Sequence, residues 1–199
     1  MNPVGNLLRR IAAGRLRRRA RGTADANERA ALLLQAAQLR DAPRLHLEAA
    51  AALAEAGRHA ESAASWQRTI EREPLLIPGE TQVAALLPVV PRVARAVLDG
   101  LSRESSRGRR WKLERRGSFD GEERWRLEQE EHDTMDALLP TLRYVALAVA
   151  HTSGAPGRLR IDCDRPNPDS EAYNPVVQLG EAIITWDEGR RITGVKMQT

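Results

Sequence analysis

The densest group of side chains that could do chemistry lies between residues 162 and 169. It contains Asp162, Cys163, Asp164, Asn167 and Asp169. Carboxylate and amide oxygens that converge on one point can bind a hard cation. The spacing does not match a calcium-binding loop, however, and no glycine stands where such a loop turns sharply. We therefore predict a strand end that runs into a polar turn. A small enzyme or metal-binding domain that uses this loop is kept as an alternative function.

Cysteine and histidine add no catalytic pattern. Cys163 is the single cysteine, so no intramolecular disulfide can form, and its alternation with Ile161 predicts a buried thiol. The sequence has no glycine-rich phosphate loop, serine elbow or zinc-protease helix. We predict no catalytic residue, no metal ligand and no cofactor. The histidines are His46, His59, His132 and His151. No two of them have the close helical spacing of a metal-binding pair.

Positive charge is concentrated at the N-terminus. The first 24 residues hold seven arginines and no acidic residue. The chain has a formal charge of +4, which becomes −3 once these seven are discounted. The basic character therefore belongs to the N-terminal arm, which could contact nucleic acid or an anionic membrane surface. The seven are Arg9, Arg10, Arg15, Arg17, Arg18, Arg19 and Arg21.

Apolar residues recur at helical spacing in the same arm, which predicts a basic amphipathic helix within residues 1–24. Such a helix can pack on the next helix, lie on an anionic membrane, contact nucleic-acid phosphates or act as a mitochondrial-type presequence. The four interpretations stay open. The apolar residues are Val4, Leu7, Leu8, Ile11, Ala12 and Leu16.

Three further helices are predicted between residues 25 and 76. Asp25 is expected to cap the first of them. Asp41 can cap the second, with Pro43 in its first turn and Gly57 as its C-terminal stop. The third is expected over residues 60–73. Together they predict antiparallel helical hairpins.

The second and third of these helices resemble a tetratricopeptide repeat over residues 43–76. The resemblance rests on five features: small Ala50, large apolar Leu53, Gly57 in the turn, bulky Trp66 and closing Pro74. It implies a stacked helical module that binds other proteins, commonly as an adaptor in larger bacterial assemblies.

Three positions depart from the repeat pattern. His46 stands where a bulky residue is expected, and Ser62 and Thr69 stand where alanines are expected. We predict a non-enzymatic interaction protein with an unidentified protein partner, and we take His46, Arg58 and Trp66 as candidate partner-binding residues. A nucleic-acid-associated protein that uses the arginine arm is the first alternative.

The apolar period changes from helical to alternating near Ser106, which predicts strands. A first hairpin is expected to turn over residues 117–121 and to place Leu113 opposite Trp125. A helix over residues 134–151 and a strand that begins at Arg158 follow. A second hairpin is expected to turn at residues 188–189. Its predicted pairs are Asp187 with Arg190 and Glu181 with Lys196.

The predicted fold class is therefore α+β: N-terminal helical hairpins, then a small, mostly antiparallel sheet packed with one or two helices. The predicted domains are an arm over residues 1–24, a helical module over 25–76 and an α+β domain over 80–199. No apolar run approaches the ~18 residues of a membrane span, and no secretory signal is expected. Together with the lone cysteine, this predicts a cytoplasmic protein.

Overall fold

A computed structural model describes residues 3–103, 111–130, 132–153, 156–167 and 176–199. The chain divides into two compact units, residues 1–93 and 94–199, and the division falls within the sixth helix. The described helices are α1 (Pro3–Gly22), α2 (Ala26–Leu39), α3 (Pro43–Glu55), α4 (His59–Arg72), α5 (Glu80–Leu86), α6 (Val90–Leu101) and α7 (Met135–Thr152). The strands are β1 (Trp111–Phe119), β2 (Glu122–Gln129), β3 (Gly157–Pro166), β4 (Val176–Trp186) and β5 (Ile192–Gln198).

The first unit is a stack of antiparallel helices. Each of the first four packs on its neighbour in the chain, and α3 also contacts α5. This confirms the predicted helical hairpins. The helices pack closely on one another because their core is rich in alanine, whose small side chain lets the helix axes approach. The fully buried alanines are Ala30, Ala36, Ala37, Ala49 and Ala50.

Two of the three predicted helix signals act as expected. The Asp25 carboxylate accepts a 2.8 Å hydrogen bond from the Glu28 amide and caps α2. Gly57 follows α3 at φ +73°, a left-handed conformation that glycine adopts without strain. The predicted cap at Asp41 is wrong: α3 starts after Ala42 without a side-chain cap. The Asp41 carboxylate instead forms a hydrogen bond with His46. Pro43, whose fixed φ suits a first helical position, begins α3.

The departures from the repeat pattern on α4 have a structural role. Ser62, Ser65 and Thr69 are buried. The hydroxyls of Ser62 and Ser65 donate to the backbone oxygens of Ala50 and His46 on α3, at 2.7 and 3.0 Å. The Thr69 hydroxyl lies 3.1 Å from the backbone oxygen of Pro43. Small hydroxyl side chains therefore keep the helices close and satisfy their own polar groups across the α3–α4 interface.

The second unit contains a five-stranded sheet in chain order, β1 to β5. All neighbouring strands are antiparallel except β2 and β3, which are parallel because α7 lies between them in the chain. Helix α7 packs on β3, β4 and β5. The α+β class is confirmed. The predicted change of period at Ser106 lies outside the described residues, between the end of α6 at Leu101 and the start of β1 at Trp111. The buried residues of β3 are those predicted by alternation, Leu159, Ile161 and Cys163.

The predicted pairing of the first hairpin is wrong by two residues. Leu113 pairs with Leu127 rather than Trp125, and Arg115 pairs with Trp125. The turn contains only Asp120 and Gly121, between the paired residues Phe119 and Glu122, and a β-bulge between Arg115 and Gly117 accommodates one extra residue. A shift of two preserves the buried face, since side chains alternate with period two.

The second hairpin shows the same kind of shift. Ile183, not Glu181, pairs with Lys196, and the ladder is irregular between Thr185 and Trp186. The turn spans five residues, because the Asp187 carboxylate accepts a 2.9 Å hydrogen bond from the Arg191 amide. Arg190 meets Asp187 only through its backbone, at 2.9 Å within the turn.

Candidate functional site

The polar cluster of residues 162–169 does not form a metal site within the described residues. Asp164 belongs to β3, is buried, and accepts a 2.6 Å hydrogen bond from Nε of Arg126 on β2. Asp162 is half-buried. Its pKa is raised mainly by this burial and next by the negative charges of Glu181 and Asp164. Asp169 lies outside the described residues. No group of three potential ligands converges in the described part of the chain.

Cys163 is fully buried on the α7 side of the sheet. Burial, followed by the charges of Asp164 and Asp162, raises the pKa of its thiol to about 12. A protonated thiol without access to solvent is a poor nucleophile. The side chain therefore acts as a core residue, as its alternation with Ile161 indicated.

The polar face of the sheet pairs its own charges. Glu122 accepts a 3.0 Å hydrogen bond from Nε of Arg160 and forms an ion pair with Arg158, whose Nε lies 2.9 Å from the Glu122 carboxylate. Arg160 also reaches Glu181 through Nη1, at 2.6 Å. Because these arginines are already paired with carboxylates, this face presents little unpaired charge to a ligand.

The three candidate partner-binding residues occupy different environments. Trp66 is only 1% exposed and fills the interior of the helical unit. His46 is also buried, and its Nε2 lies 2.9 Å from the Asp41 carboxylate. Arg58 lies at the surface and forms two hydrogen bonds to Glu61, at 2.7 and 2.6 Å. The structure thus does not gather them into one surface.

A different feature of the helical unit has the shape of a binding site, and we call it the α1–α3 groove. It consists of two cavities between α1 and α3. The larger, about 320 Å³, is bordered by Arg17, Arg40 and Arg44 and by one acidic residue, Glu73. Its floor is formed by small and apolar residues such as Ala13 and Leu45. Sequence reasoning missed this groove because its lining comes from separate helices and the α2–α3 turn.

The smaller cavity, about 250 Å³, has a mixed-charge rim. It lies among α1, α2, α3 and α5. Arg29 forms an ion pair with Glu55 at this rim, and Ala51 lies at the floor. An ion pair between Arg17 and Glu48 separates the two cavities, with Nε of Arg17 at 2.7 Å from the carboxylate. The groove therefore offers apolar floor and both signs of charge, which suits polar and apolar groups of an extended peptide.

The arginine arm is part of the helical unit rather than separate from it. Helix α1 packs on α2 through Ala13, Leu16 and Ala20. Arg17 is paired with Glu48, and Arg19 lies 2.8 Å from Glu28. The side chains of the other five are exposed, namely Arg9, Arg10, Arg15, Arg18 and Arg21. Contact of these arginines with nucleic acid or a membrane stays a prediction.

No protein family, curated protein or solved structure matches this chain. The antiparallel helical hairpins are therefore established by the structure, whereas the resemblance of residues 43–76 to a tetratricopeptide repeat stays a prediction. None of the helices in the described ranges has the length and hydropathy that crossing a bilayer would require.

Proposed function

We propose that this protein is a non-enzymatic interaction protein whose helical unit binds an extended segment of a partner protein in the α1–α3 groove. The observation that carries the proposal is the pair of adjacent cavities on either side of the Arg17–Glu48 ion pair. Together they offer a volume of the size that small ligands and peptide side chains occupy.

The charges of the groove indicate the chemistry of the segment. The end bordered by Arg40, Arg44 and Glu73 retains a net positive charge beside the Arg17–Glu48 ion pair, and it favours an acidic side chain, since guanidinium groups bind carboxylates through two parallel hydrogen bonds. The end bordered by Arg29 and Glu55 favours a segment that carries side chains of both charges. A small apolar side chain of that segment would contact the floor of the cavity. This division would fix the direction in which the segment lies.

The proposal extends the tetratricopeptide-repeat resemblance, in which a stack of helical hairpins holds a peptide. It assigns the protein to a larger assembly in the bacterial cytoplasm, where a buried thiol such as Cys163 would remain reduced. His46 and Trp66 would then act by maintaining the stack rather than by contacting the partner, because both are buried.

Affinity capture with a groove-blocking variant tests the proposal. Ala51→Arg adds a long side chain at the floor of the smaller cavity, and Ala64→Arg adds the same side chain on the exposed face of α4. We expect Ala51→Arg to reduce partner capture by at least about tenfold, as loss of a central contact does, while Ala64→Arg leaves it unchanged. Circular dichroism would confirm that both variants remain helical.

A photoreactive residue sharpens the same experiment. Placed at Arg44 in the groove it should crosslink to the partner, and placed at Gln67 on exposed α4 it should not. Equal capture by both arginine variants, or crosslinking from position 67 alone, would contradict a site in the groove.

A further inference from the structure

The first half of α1 exposes an apolar stripe that the groove does not use. Val4, Leu7, Leu8 and Ile11 are 64%, 57%, 61% and 44% exposed. At 100° per residue the four lie within an arc of about 100°, and the stripe is about 10 Å long. Four of the six large apolar side chains recorded as strongly exposed in the described residues therefore belong to one short helical segment.

Helix geometry explains why this stripe stays uncovered. The residues that pack on α2, Ala13, Leu16 and Ala20, lie on roughly the opposite side of α1, about 160° away. Helix α1 also has 20 residues and its antiparallel neighbour α2 has 14, so about 9 Å of α1 extends beyond α2. Much of the stripe thus lies on the part of α1 that projects beyond α2.

The charge on the same side of α1 is entirely positive. Arg15 and Arg18 continue the arc of the stripe along the helix, and Arg10 lies near one flank. Among the residues that the structure describes, carboxylates pair with two arginines of α1: Glu48 of α3 with Arg17, and Glu28 of α2 with Arg19. Since α1 itself contains no acidic residue, its outward surface combines aliphatic side chains with unneutralised guanidinium groups.

We infer that this face of α1 binds the surface of an anionic phospholipid bilayer, lying in the interface plane with its aliphatic stripe toward the acyl chains. An amphipathic helix binds such a surface through buried apolar area together with attraction between its cations and the anionic headgroups. This inference goes beyond the protein-binding groove and does not depend on it.

A second copy of the chain or a nucleic acid would match either the apolar or the cationic part of this face, but not both. A second copy of the chain packed stripe to stripe would cover the aliphatic side chains but would offer Arg15 and Arg18 no carboxylate from its own α1, which contains no acidic residue. Nucleic-acid phosphates would neutralise the arginines but leave Leu7, Leu8 and Ile11 in water, and α1 has no aromatic side chain on which bases could stack. An anionic bilayer matches both the apolar and the cationic part.

Vesicle flotation of the full chain tests the inference. We expect binding to phosphatidylcholine vesicles that contain about 30% phosphatidylglycerol and none to pure phosphatidylcholine, because the negative surface potential is required. Binding should weaken as salt rises from about 0.1 to about 0.5 M, since exposed charges are then screened. Absence of binding to the anionic vesicles at low salt would overturn the inference.

Matched double variants separate the stripe from general charge attraction. Leu8→Gln with Ile11→Gln should weaken vesicle binding by at least about tenfold, because the apolar area that enters the interface is reduced. Leu87→Gln with Phe119→Gln changes two equally exposed apolar residues elsewhere and should leave binding unchanged. Equal binding by both variants would show that the stripe is not the contact, and would overturn the inference.

The arginines are tested in the same way. Arg15→Gln with Arg18→Gln should reduce binding several-fold more than Arg68→Gln with Arg92→Gln, a pair of exposed arginines outside α1. Concentration-dependent dimerisation that is lost in Leu8→Gln with Ile11→Gln, without vesicle binding, would assign the stripe to a second copy and overturn the inference. Partner capture through the groove should be unaffected by the α1 variants, so the two proposals can fail separately.

Discussion

The two compact units differ in where they place apolar surface and charge. In the sheet unit, large residues such as Leu127 and Ile161 are fully buried, and the polar face pairs its charges across strands. In the helical unit, much of the core is alanine, and apolar side chains remain outside at Leu8 and Ile11. Most of the strongly exposed large apolar side chains of the described residues, and the two cavities of the α1–α3 groove, therefore lie in the helical unit, which is where we place binding.

The difference follows from how each architecture buries its residues. A sheet covered on one face by α7 needs apolar residues on that face only, and alternation supplies them. A stack of helices buries each helix against its neighbours in turn, and because α1 packs mainly on α2, the opposite side of α1 is exposed. The same geometry leaves open space where α1 and α3 face each other across α2.

The largest expected effect is on the helical core. Trp66→Ala should reduce the unfolding free energy by about 3–5 kcal/mol, as removal of a buried aromatic residue does. Phe119→Ala in the sheet unit is the matched control, because Phe119 is 65% exposed; its effect should stay below about 0.5 kcal/mol. Urea unfolding followed by circular dichroism measures both. A cost below about 1 kcal/mol for Trp66→Ala would contradict the burial that the comparison assumes.

Loss of an ion pair should reduce the unfolding free energy more in the sheet unit than in the helical unit. This is the reverse of the order expected for the two aromatic residues. Arg126→Ala leaves the carboxylate of buried Asp164 without its cation, and we expect a loss of about 1–3 kcal/mol. Arg58→Ala in the helical unit breaks an exposed pair with Glu61 and should cost less than about 1 kcal/mol.

A double variant checks the origin of the larger loss. If the uncompensated charge of Asp164 is responsible, Arg126→Ala with Asp164→Ala should be more stable than Arg126→Ala alone. Equal losses for the Arg126 and Arg58 variants would remove this part of the contrast between the units.

The smallest expected effects concern pH, and they have opposite signs in the two units. A hydrogen bond from His46 lowers the pKa of Asp41. The pKa of Glu28 is also lowered, first by a hydrogen bond from Thr23 and next by a hydrogen bond from Arg19. Their contribution to stability is fully present above their ordinary pKa values, 3.8 and 4.5, and is lost as pH falls through the lower pKa values of the folded state.

Asp162 in the sheet unit has a raised pKa, mainly through burial. Its contribution is present below its ordinary pKa of 3.8 and is lost as pH rises through its folded pKa, so ionised Asp162 opposes folding at pH 7. Asp162→Asn should therefore raise the unfolding free energy at pH 7, by less than about 1 kcal/mol because the group is only half-buried. The gain should vanish near pH 3; thermal unfolding at both pH values measures it, and a loss at pH 7 would refute the sign.

Local signals in the sequence determined the elements and their buried faces. The change of apolar period near residue 106 predicted where helices give way to strands, and alternation predicted that Leu159, Ile161 and Cys163 point inward. Asp25 and Gly57 marked helix ends correctly. These predictions succeed because capping, left-handed turns and face periodicity depend on residues within a few positions of each other.

Tertiary structure alone decided what depends on distant residues. The bulge between Arg115 and Gly117 moved the hairpin register, and the parallel β2–β3 pairing brought Arg126 to Asp164. Likewise, the sequence determined that the α1 stripe exists, but only the packing of Ala13 and Ala20 on α2 decided that Leu8 and Ile11 remain exposed. Residues far apart in the chain choose their partners by the whole arrangement of the core, because each helix or strand offers more than one face or register that its own sequence allows.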